Sequence, residues 1–230
     1  GDVRRTHEEL ESVTAGISGR LHVGTILSAS PVLLPRAIAQ LQRAAPGIYV
    51  EVVEGLVAPL IDRLQRHEID LIIGPLDPRA HHAGLQMEGL MHDIFSIVTR
   101  PGHPLAKLRR PTWRDAAQYP WIMPPLATVS RTRLEEAFAR AGVAAPSPRI
   151  ETASIVALQA LLHETGYVTC LAGSVAQLYR RLKLVDIVPM REQLDFGLIG
   201  MMWQAGAASR VLPQLQECLR HEARELQGDA

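Results

Sequence analysis

The sequence has no excess of charge of either sign. Its 24 Lys and Arg residues balance its 24 Asp and Glu residues, so the formal net charge is zero. A surface that binds nucleic acid usually shows a basic excess clustered on one face. The pairs Arg109-Arg110 and Arg180-Arg181 are interpreted as solvated helix and loop ends. The composition therefore argues against DNA binding by this chain alone.

Long apolar runs and cysteines are also scarce. No stretch approaches the roughly 18 continuous apolar residues that a membrane-spanning helix needs. The charged first residues contain no apolar signal-peptide core, which favours the cytoplasm as the location. Of the two cysteines, Cys170 lies within the apolar run 167–171 and Cys218 lies far from it in the sequence. We therefore expect a buried, unreactive thiol at Cys170, and a redox switch is the less favoured alternative.

Motifs that carry catalysis or bind cofactors are missing too. The sequence contains no Gly-x-Ser-x-Gly turn, no phosphate-binding glycine loop and no dinucleotide fingerprint. His81-His82 is interpreted as part of an exposed loop, because no cysteine or carboxylate set with metal-ligand spacing surrounds the pair. We expect no enzyme activity, no cofactor and no metal. A triad assembled from distant residues stays open as an alternative.

What the sequence does contain is a regular alternation of strands and helices. Apolar segments at 21–27, 48–54 and 69–75 predict strands, and the helices between them include one with Ser30 as its cap and Pro31 at its first position. The pattern returns after a proline-rich middle stretch. Strands joined by helices at this spacing predict a parallel sheet, and 230 residues exceed the usual single-domain size of about 100–150. Two α/β lobes are therefore expected.

Several short motifs together resemble the effector-binding domain of LysR-type transcriptional regulators. The chain reads GRLHVGTILSASPVLLPRAIAQLQRAAPGIYVEVVEG, then LIDRLQRHEIDLIIGPL, and later VTRPGHPLA, YPWIMPP ahead of Arg131, and GYVTCLAGSVAQL. Each motif is weakly specific, but their order and spacing over residues 18–226 are typical of the family. Two positions depart from it. Leu56-Val57 replaces a common hydroxyl residue, and Ala172 stands where a proline is frequent.

The resemblance implies an α/β fold of two Rossmann-like lobes joined by two crossover strands, like type 2 periplasmic binding proteins. The implied boundaries are 1–17 for the end of a linker helix, 18–93 with 200–228 for lobe one, and 94–199 for lobe two. The implied function is inducer sensing for a bacterial transcriptional regulator whose DNA-binding helix-turn-helix lies outside this chain. A transporter's solute-binding protein and a small α/β enzyme are the alternatives.

The family also pairs its lobes side by side, which implies a homodimer or higher oligomer. We expect the helix Leu33–Ala44 and the strand Ile48–Glu54 to take part. The simpler interpretation is that the apolar face of this helix packs only on its own sheet.

Ligands of open α/β sheets bind beyond the carboxyl ends of strands, where the chain turns into a helix. Two such turns, 28–30 and 128–130, are rich in hydroxyl groups at predicted helix N-termini, where an anion is favoured. The predicted ligand-binding residues are Ser28, Ala29, Ser30, Val57, Gly74, Pro75, Met123, Thr128, Val129 and Ser130. The predicted effector is a small organic acid, aromatic or sugar-derived, whose apolar body contacts Val57. Taken singly, Ser30 and Ser130 are better explained as helix caps, and it is the pair of turns facing one cleft that favours ligand binding.

Overall fold

The structure is a computed structural model that describes residues 19–26, 31–126, 128–206 and 209–228. The chain divides into two compact units. Unit 1 comprises the residues up to Met91 and those from Leu198 onward, and unit 2 comprises His92–Gly197. The predicted end of a linker helix at 1–17 lies outside the described residues.

Strands and helices alternate along most of the chain. The first half contains β1 (Gly19–Thr25), α1 (Leu33–Ala44), β2 (Ile48–Glu54), α2 (Val57–Gln65), β3 (Leu71–Pro75), α3 (Pro78–His82), β4 (Gln86–Thr99), a 3-10 helix (Pro104–Lys107) and α4 (Trp113–Ala116). The second half contains β5 (Ile122–Met123), α5 (Val129–Arg140), β6 (Ile150–Glu151), α6 (Ile155–Thr165), β7 (Thr169–Ala172), α7 (Gly173–Arg181), β8 (Asp186–Ile187), β9 (Leu194–Trp203) and α8 (Leu212–Gly228).

Unit 1 is built on a parallel sheet. Strand β1 pairs in parallel with β2 on one side and with β3 on the other, and β3 pairs antiparallel with β9. All of β3 is buried, as its unbroken apolar sequence predicts. Helix α1 buries Leu34, Ala37 and Leu41 and packs against α8 of the same unit. The apolar face of α1 is therefore explained by packing within its own unit.

Unit 2 combines parallel and antiparallel pairs. Strand β4 pairs antiparallel with β7 and β8, whereas β5 pairs in parallel with β6. Its core centres on Phe138, whose ring packs edge to face against Trp113 at 5.0 Å and Trp121 at 5.3 Å between ring centroids. The indole of Trp121 is completely buried and donates a hydrogen bond to the Ala116 carbonyl.

Two long strands, β4 and β9, carry the chain from one unit to the other, because the division falls within each of them. The predicted class, α/β with two strands connecting two lobes, is confirmed.

The structure corrects two local predictions, the start of α1 and the loop at His81-His82. Helix α1 begins at Leu33 with Val32 as its N-cap, so Pro31 is not at its first position and the cap predicted at Ser30 is wrong. Helix α5 begins at Val129 with Thr128 as its cap, so the turn 128–130 lies at a helix N-terminus. The pair His81-His82 is exposed, as expected, but lies on α3 and not in an open loop, since Asp77 caps that short helix.

Cys170 is buried in β7, and burial raises the pKa of its thiol to about 12. A thiol that ionises so reluctantly is a poor nucleophile and a poor redox sensor. The structure therefore supports the interpretation of Cys170 as a small core side chain.

His103 is a buried histidine whose surroundings lower its pKa and so favour the neutral imidazole. Its Nδ1 accepts a hydrogen bond from the Leu105 N–H at 3.2 Å, and its ring packs edge to face on Tyr119. Burial and the nearby Arg100 charge lower its pKa, and a hydrogen bond with the Gly166 backbone opposes them only in part. The folded state therefore binds its proton less readily than the unfolded chain does.

The sign of the pH dependence follows from this lowered pKa. The contribution of neutral His103 to stability is fully present above the unfolded pKa of 6.5 and is lost as the pH falls below it. For one group, the loss is at most about 1.4 kcal/mol per pH unit. Urea unfolding at pH 7.5 and 5.5 should show a larger loss for the parent chain than for His103→Asn, which keeps an acceptor but does not titrate. Equal losses in both proteins would contradict this assignment.

Candidate functional site

The carboxyl ends of three strands in unit 2 lie at one edge. Strands β5 and β6 are parallel, and Trp121 forms a parallel bridge with Val168 just before β7. The Thr169 hydroxyl also donates to the Ile122 carbonyl at 2.8 Å. Because parallel strands end at the same side of a sheet, the segments that follow β5, β6 and β7 meet there. We call this the unit 2 edge.

Thr128 forms the N-terminus of α5 at this edge. Its hydroxyl oxygen accepts a hydrogen bond from the Arg131 N–H at 3.2 Å and donates one to the Pro125 carbonyl at 2.7 Å. Val129 and Ser130 occupy the first turn and are partly exposed. The cap leaves one lone pair of the Thr128 hydroxyl oxygen available for a further donor.

Arg131 is the most connected side chain of the unit 2 edge. Its guanidinium donates to Glu135 at 2.6 Å, to Glu151 at 2.7 Å and to the Pro124 carbonyl at 3.1 Å, although its side chain is only 7% exposed. Burial acts to lower the pKa of Arg131, but the hydrogen bonds that it donates to Glu151 and Glu135, together with their charges, outweigh burial and raise that pKa. Arg131 therefore joins the loop after β5 to the end of β6 as a permanently charged group.

Thr152 and Ser154 add two hydroxyl groups that the sequence-based site did not include. The Thr152 backbone N–H donates to the Met123 carbonyl at 3.2 Å, and the Ser154 hydroxyl accepts from the Ala157 N–H at the start of α6. The Thr-Ala-Ser sequence directly after a strand was the available signal. The unit 2 edge thus carries the N-termini of two long helices, both capped by a hydroxyl.

A third helix at this edge, α7, has a buried carboxylate from β4 beside its N-terminus. Asp93, 6% exposed, accepts hydrogen bonds from the Ser174 hydroxyl at 2.7 Å and from the Ile94 N–H at 2.7 Å. Gly173 leaves room for this carboxylate, since a Cβ there would lie 3.0 Å from its oxygen. The N-terminus of α7 is therefore already occupied by an anion of the protein itself.

Unit 1 has a corresponding edge where β1, β2 and β3 end. Gly74 and Pro75 are buried there, and a side chain at Gly74 would overlap Ile26. Val57 begins α2 without a side-chain cap, next to Leu56, which is 38% exposed. The predicted residues Ser28, Ala29 and Ser30 lie outside the described residues.

The predicted residues therefore differ in how accessible they are. Those of the α5 start, Thr128, Val129 and Ser130, are partly exposed at one edge, as is Val57 in unit 1. Met123 is 1% exposed and lies in the core of unit 2. The ligand-contacting role of each residue stays a prediction.

The chain matches one known protein family over most of its length. The model of the LysR substrate binding domain matches residues 14–224. The chain belongs to the LysR substrate-binding domain family. Within the described residues, no group of three or more His, Cys, Asp or Glu side chains could hold a metal ion. In the same residues, no helix has both the length and the apolar character needed to cross a membrane.

Relatives of this LysR domain are regulators of transcription. The HTH-type transcriptional regulator GbpR of Azospirillum brasilense is 30% identical over 197 residues, which is 85% of this chain and 58% of the relative. The HTH-type transcriptional regulator GalR of Pseudomonas putida is 26% identical over 222 residues, 95% of this chain and 55% of the relative. The chain thus spans little more than half the length of these curated relatives.

Solved structures confirm the fold of the LysR domain. The regulatory domain of CcmR from Synechocystis PCC6803, solved in complex with 2-PG, superposes with a TM-score of 0.75 at 19% identity, covering 91% of this chain and 99% of that domain. The fold is type 2 periplasmic-binding-protein-like, as the resemblance implied. The chain is a ligand-sensing domain of the LysR type, and the solute-binding alternative gains no support.

Proposed function

We propose that this LysR domain controls a bacterial transcriptional regulator by binding a small organic acid. The observation that carries the proposal is the unit 2 edge, where the N-termini of α5 and α6 meet beside Arg131. Helix N-termini present unpaired N–H groups and a partial positive charge, both of which favour a carboxylate. The proposed contacts at this edge are Thr128, Val129, Ser130 and Met123. The proposed contacts in unit 1 are Ser28, Ala29, Ser30, Val57, Gly74 and Pro75.

The other parts of the proposal concern the whole protein. The names of the relatives support DNA binding of the whole regulator through a helix-turn-helix outside this chain. We further propose action in the cytoplasm and a role without catalysis or cofactor. We place the end of a linker helix at 1–17, lobe one at 18–93 and 200–228, and lobe two at 94–199.

We also propose a homodimer or higher oligomer that uses α1 and β2. Strand β2 lies at the end of the sheet order and exposes Tyr49 by 43% and Val52 by 45%. An unpaired strand edge that carries apolar side chains is a favourable surface for pairing with a second chain.

A thermal-shift screen of small carboxylates tests the ligand class. For any hit, calorimetry should show that Thr128→Ala and Ser30→Ala each weaken binding by about 1.5–3 kcal/mol, roughly 10- to 150-fold, because each removes a charge-assisted hydrogen bond.

Thr112→Ala is the matched control. Thr112 caps α4 of unit 2 and is not among the proposed contacts, so its loss should remove a helix cap without removing a proposed ligand contact. Both threonine variants should lose about 1 kcal/mol of stability, but only Thr128→Ala should lose affinity. Unchanged affinity in both Thr128→Ala and Ser30→Ala, or hits confined to neutral compounds, would place the ligand elsewhere.

A further inference from the structure

The neutral chain hides a difference in charge between its two units. Residues 92–197 contain 13 Lys and Arg against 9 Asp and Glu, a net charge of +4. Because the whole chain is neutral, the remaining residues carry a net charge of −4. The excess of positive charge in unit 2 is concentrated in short exposed segments.

One of these segments is the basic patch, defined as Lys107, Arg109, Arg110 and Arg114 with Leu108 among them. All five side chains are exposed, Leu108 by 44%. The ion pairs formed among the described residues include none of the four cations. The patch therefore presents free positive charge around an uncovered apolar side chain.

The basic patch is held in place at both ends. Leu105 is fully buried before it, and Trp113 is 3% exposed within it. Thr112 and Asp115 form a reciprocal capping box, with the Thr112 N–H and hydroxyl donating to the Asp115 carboxylate at 2.8 and 2.7 Å. Asp115, the acidic residue next to Arg114 in the sequence, is thus engaged with its own helix start. A surface fixed in this way loses little conformational entropy on binding.

A second basic segment also places an exposed leucine among exposed cations. Leu182, 57% exposed, is flanked by the exposed Arg180, Arg181 and Lys183. The chain that follows it runs beside the basic patch: the Gly102 N–H donates to Asp186 at 2.8 Å and the Arg191 N–H to the Pro111 carbonyl at 2.9 Å. An exposed leucine flanked by cations therefore occurs twice in the described part of unit 2.

We propose that the basic patch docks an acidic segment of another protein, with an apolar side chain of that segment covering Leu108. Complementary charge selects and orients such a partner. Phosphate groups of DNA would use the cations but not the leucine, since nucleic acid backbones are bound through Arg, Lys and polar donors. The exposed leucines therefore favour a protein segment over DNA.

Fluorescence anisotropy of the 230-residue chain with labelled peptides tests this proposal. A peptide of Glu-Glu-Leu repeats should bind roughly tenfold more tightly than one of Glu-Glu-Ser repeats, because it also covers an apolar side chain. Arg109→Glu/Arg110→Glu should weaken that binding at least tenfold, and Leu108→Ser should remove the preference for leucine. The control variant Arg140→Glu/Arg149→Glu reverses two exposed cations of the same unit outside the patch and should bind like the parent.

Four results would overturn the proposal. The first is an equal loss of peptide affinity in the control variant, and the second is equal affinity for the two peptides. The third is tighter binding of random-sequence duplex DNA than of the Glu-Glu-Leu peptide at the same salt concentration. The fourth is self-association, measured by sedimentation, that the patch variants abolish. The last result would assign the surface to a second copy of this chain.

Discussion

Replacing Arg131 by methionine is expected to lower the free energy of unfolding by about 2–3 kcal/mol. The variant removes three hydrogen bonds at once, to Glu135, Glu151 and the Pro124 carbonyl. The glutamates are 46% and 38% exposed, so water can solvate them after the change. The cost should therefore fall below that of breaking a fully buried ion pair, which is about 3–5 kcal/mol.

Arg133→Met is the matched control for this prediction. Arg133 lies on the same helix, is 44% exposed and contacts Glu136 at 3.5 Å. An exposed pair of this kind contributes about 0.2–1 kcal/mol. Urea unfolding of both variants measures the difference, and hydrogen exchange should show faster opening of residues 124–130 only in Arg131→Met. Equal unfolding midpoints for the two variants would contradict the role given to Arg131.

The effect on the unit 2 edge connects this prediction with effector binding. Arg131 joins the loop after β5 to the end of β6, so it fixes the spacing between the starts of α5 and α6. A ligand that needs both helix starts must find them already placed, because ordering a loop on binding costs affinity. Arg131 therefore acts by positioning the two helix starts, whether or not it contacts the ligand itself.

The fold was predictable from the sequence to a large extent, because its signals are local. Apolar runs such as 69–75 predict buried strands, and apolar residues at helical spacing predict α1 and α2. Motif order then indicated the family. The predictions failed where a single residue decides the boundary, as at Val32, where the chain turns through Pro31 before α1 begins.

The polar framework of the site was less predictable, because it depends on residues far apart in sequence. Arg131 belongs to one of the family motifs, but its partner Glu151 lies 20 residues away in β6. Asp93 and Ser174 are separated by 81 residues. No spacing rule within one element connects such pairs, since they become neighbours only when the sheet of unit 2 forms.

The second large effect is expected for Gly200→Ala in β9. A Cβ at this position would overlap the carbonyl oxygen of Glu88 in β4 and would lie 2.7 Å from a methyl group of Leu76. Overpacking in a filled interior typically costs about 1–3 kcal/mol, and here the obstacle is backbone that cannot change rotamer. Glu88 is also fixed by Arg220, which donates to its carboxylate at 2.7 and 2.8 Å. We therefore expect a loss of about 3 kcal/mol in the free energy of unfolding, at the upper end of that range.

Gly89→Ala is the matched control on the same pair of strands, because its added Cβ crowds a side chain, whereas the Cβ of Gly200→Ala overlaps backbone. The three atoms nearest to a Cβ at Gly89 all belong to the side chain of Leu198, which is 43% exposed and can turn toward solvent. Its cost should stay below about 1 kcal/mol if the leucine changes rotamer. Urea unfolding of the two variants, monitored by circular dichroism, measures both costs. A smaller loss for Gly200→Ala than for Gly89→Ala would show that β4 and β9 can separate, and the close approach of these strands at Gly200 would then not be a constraint of the fold.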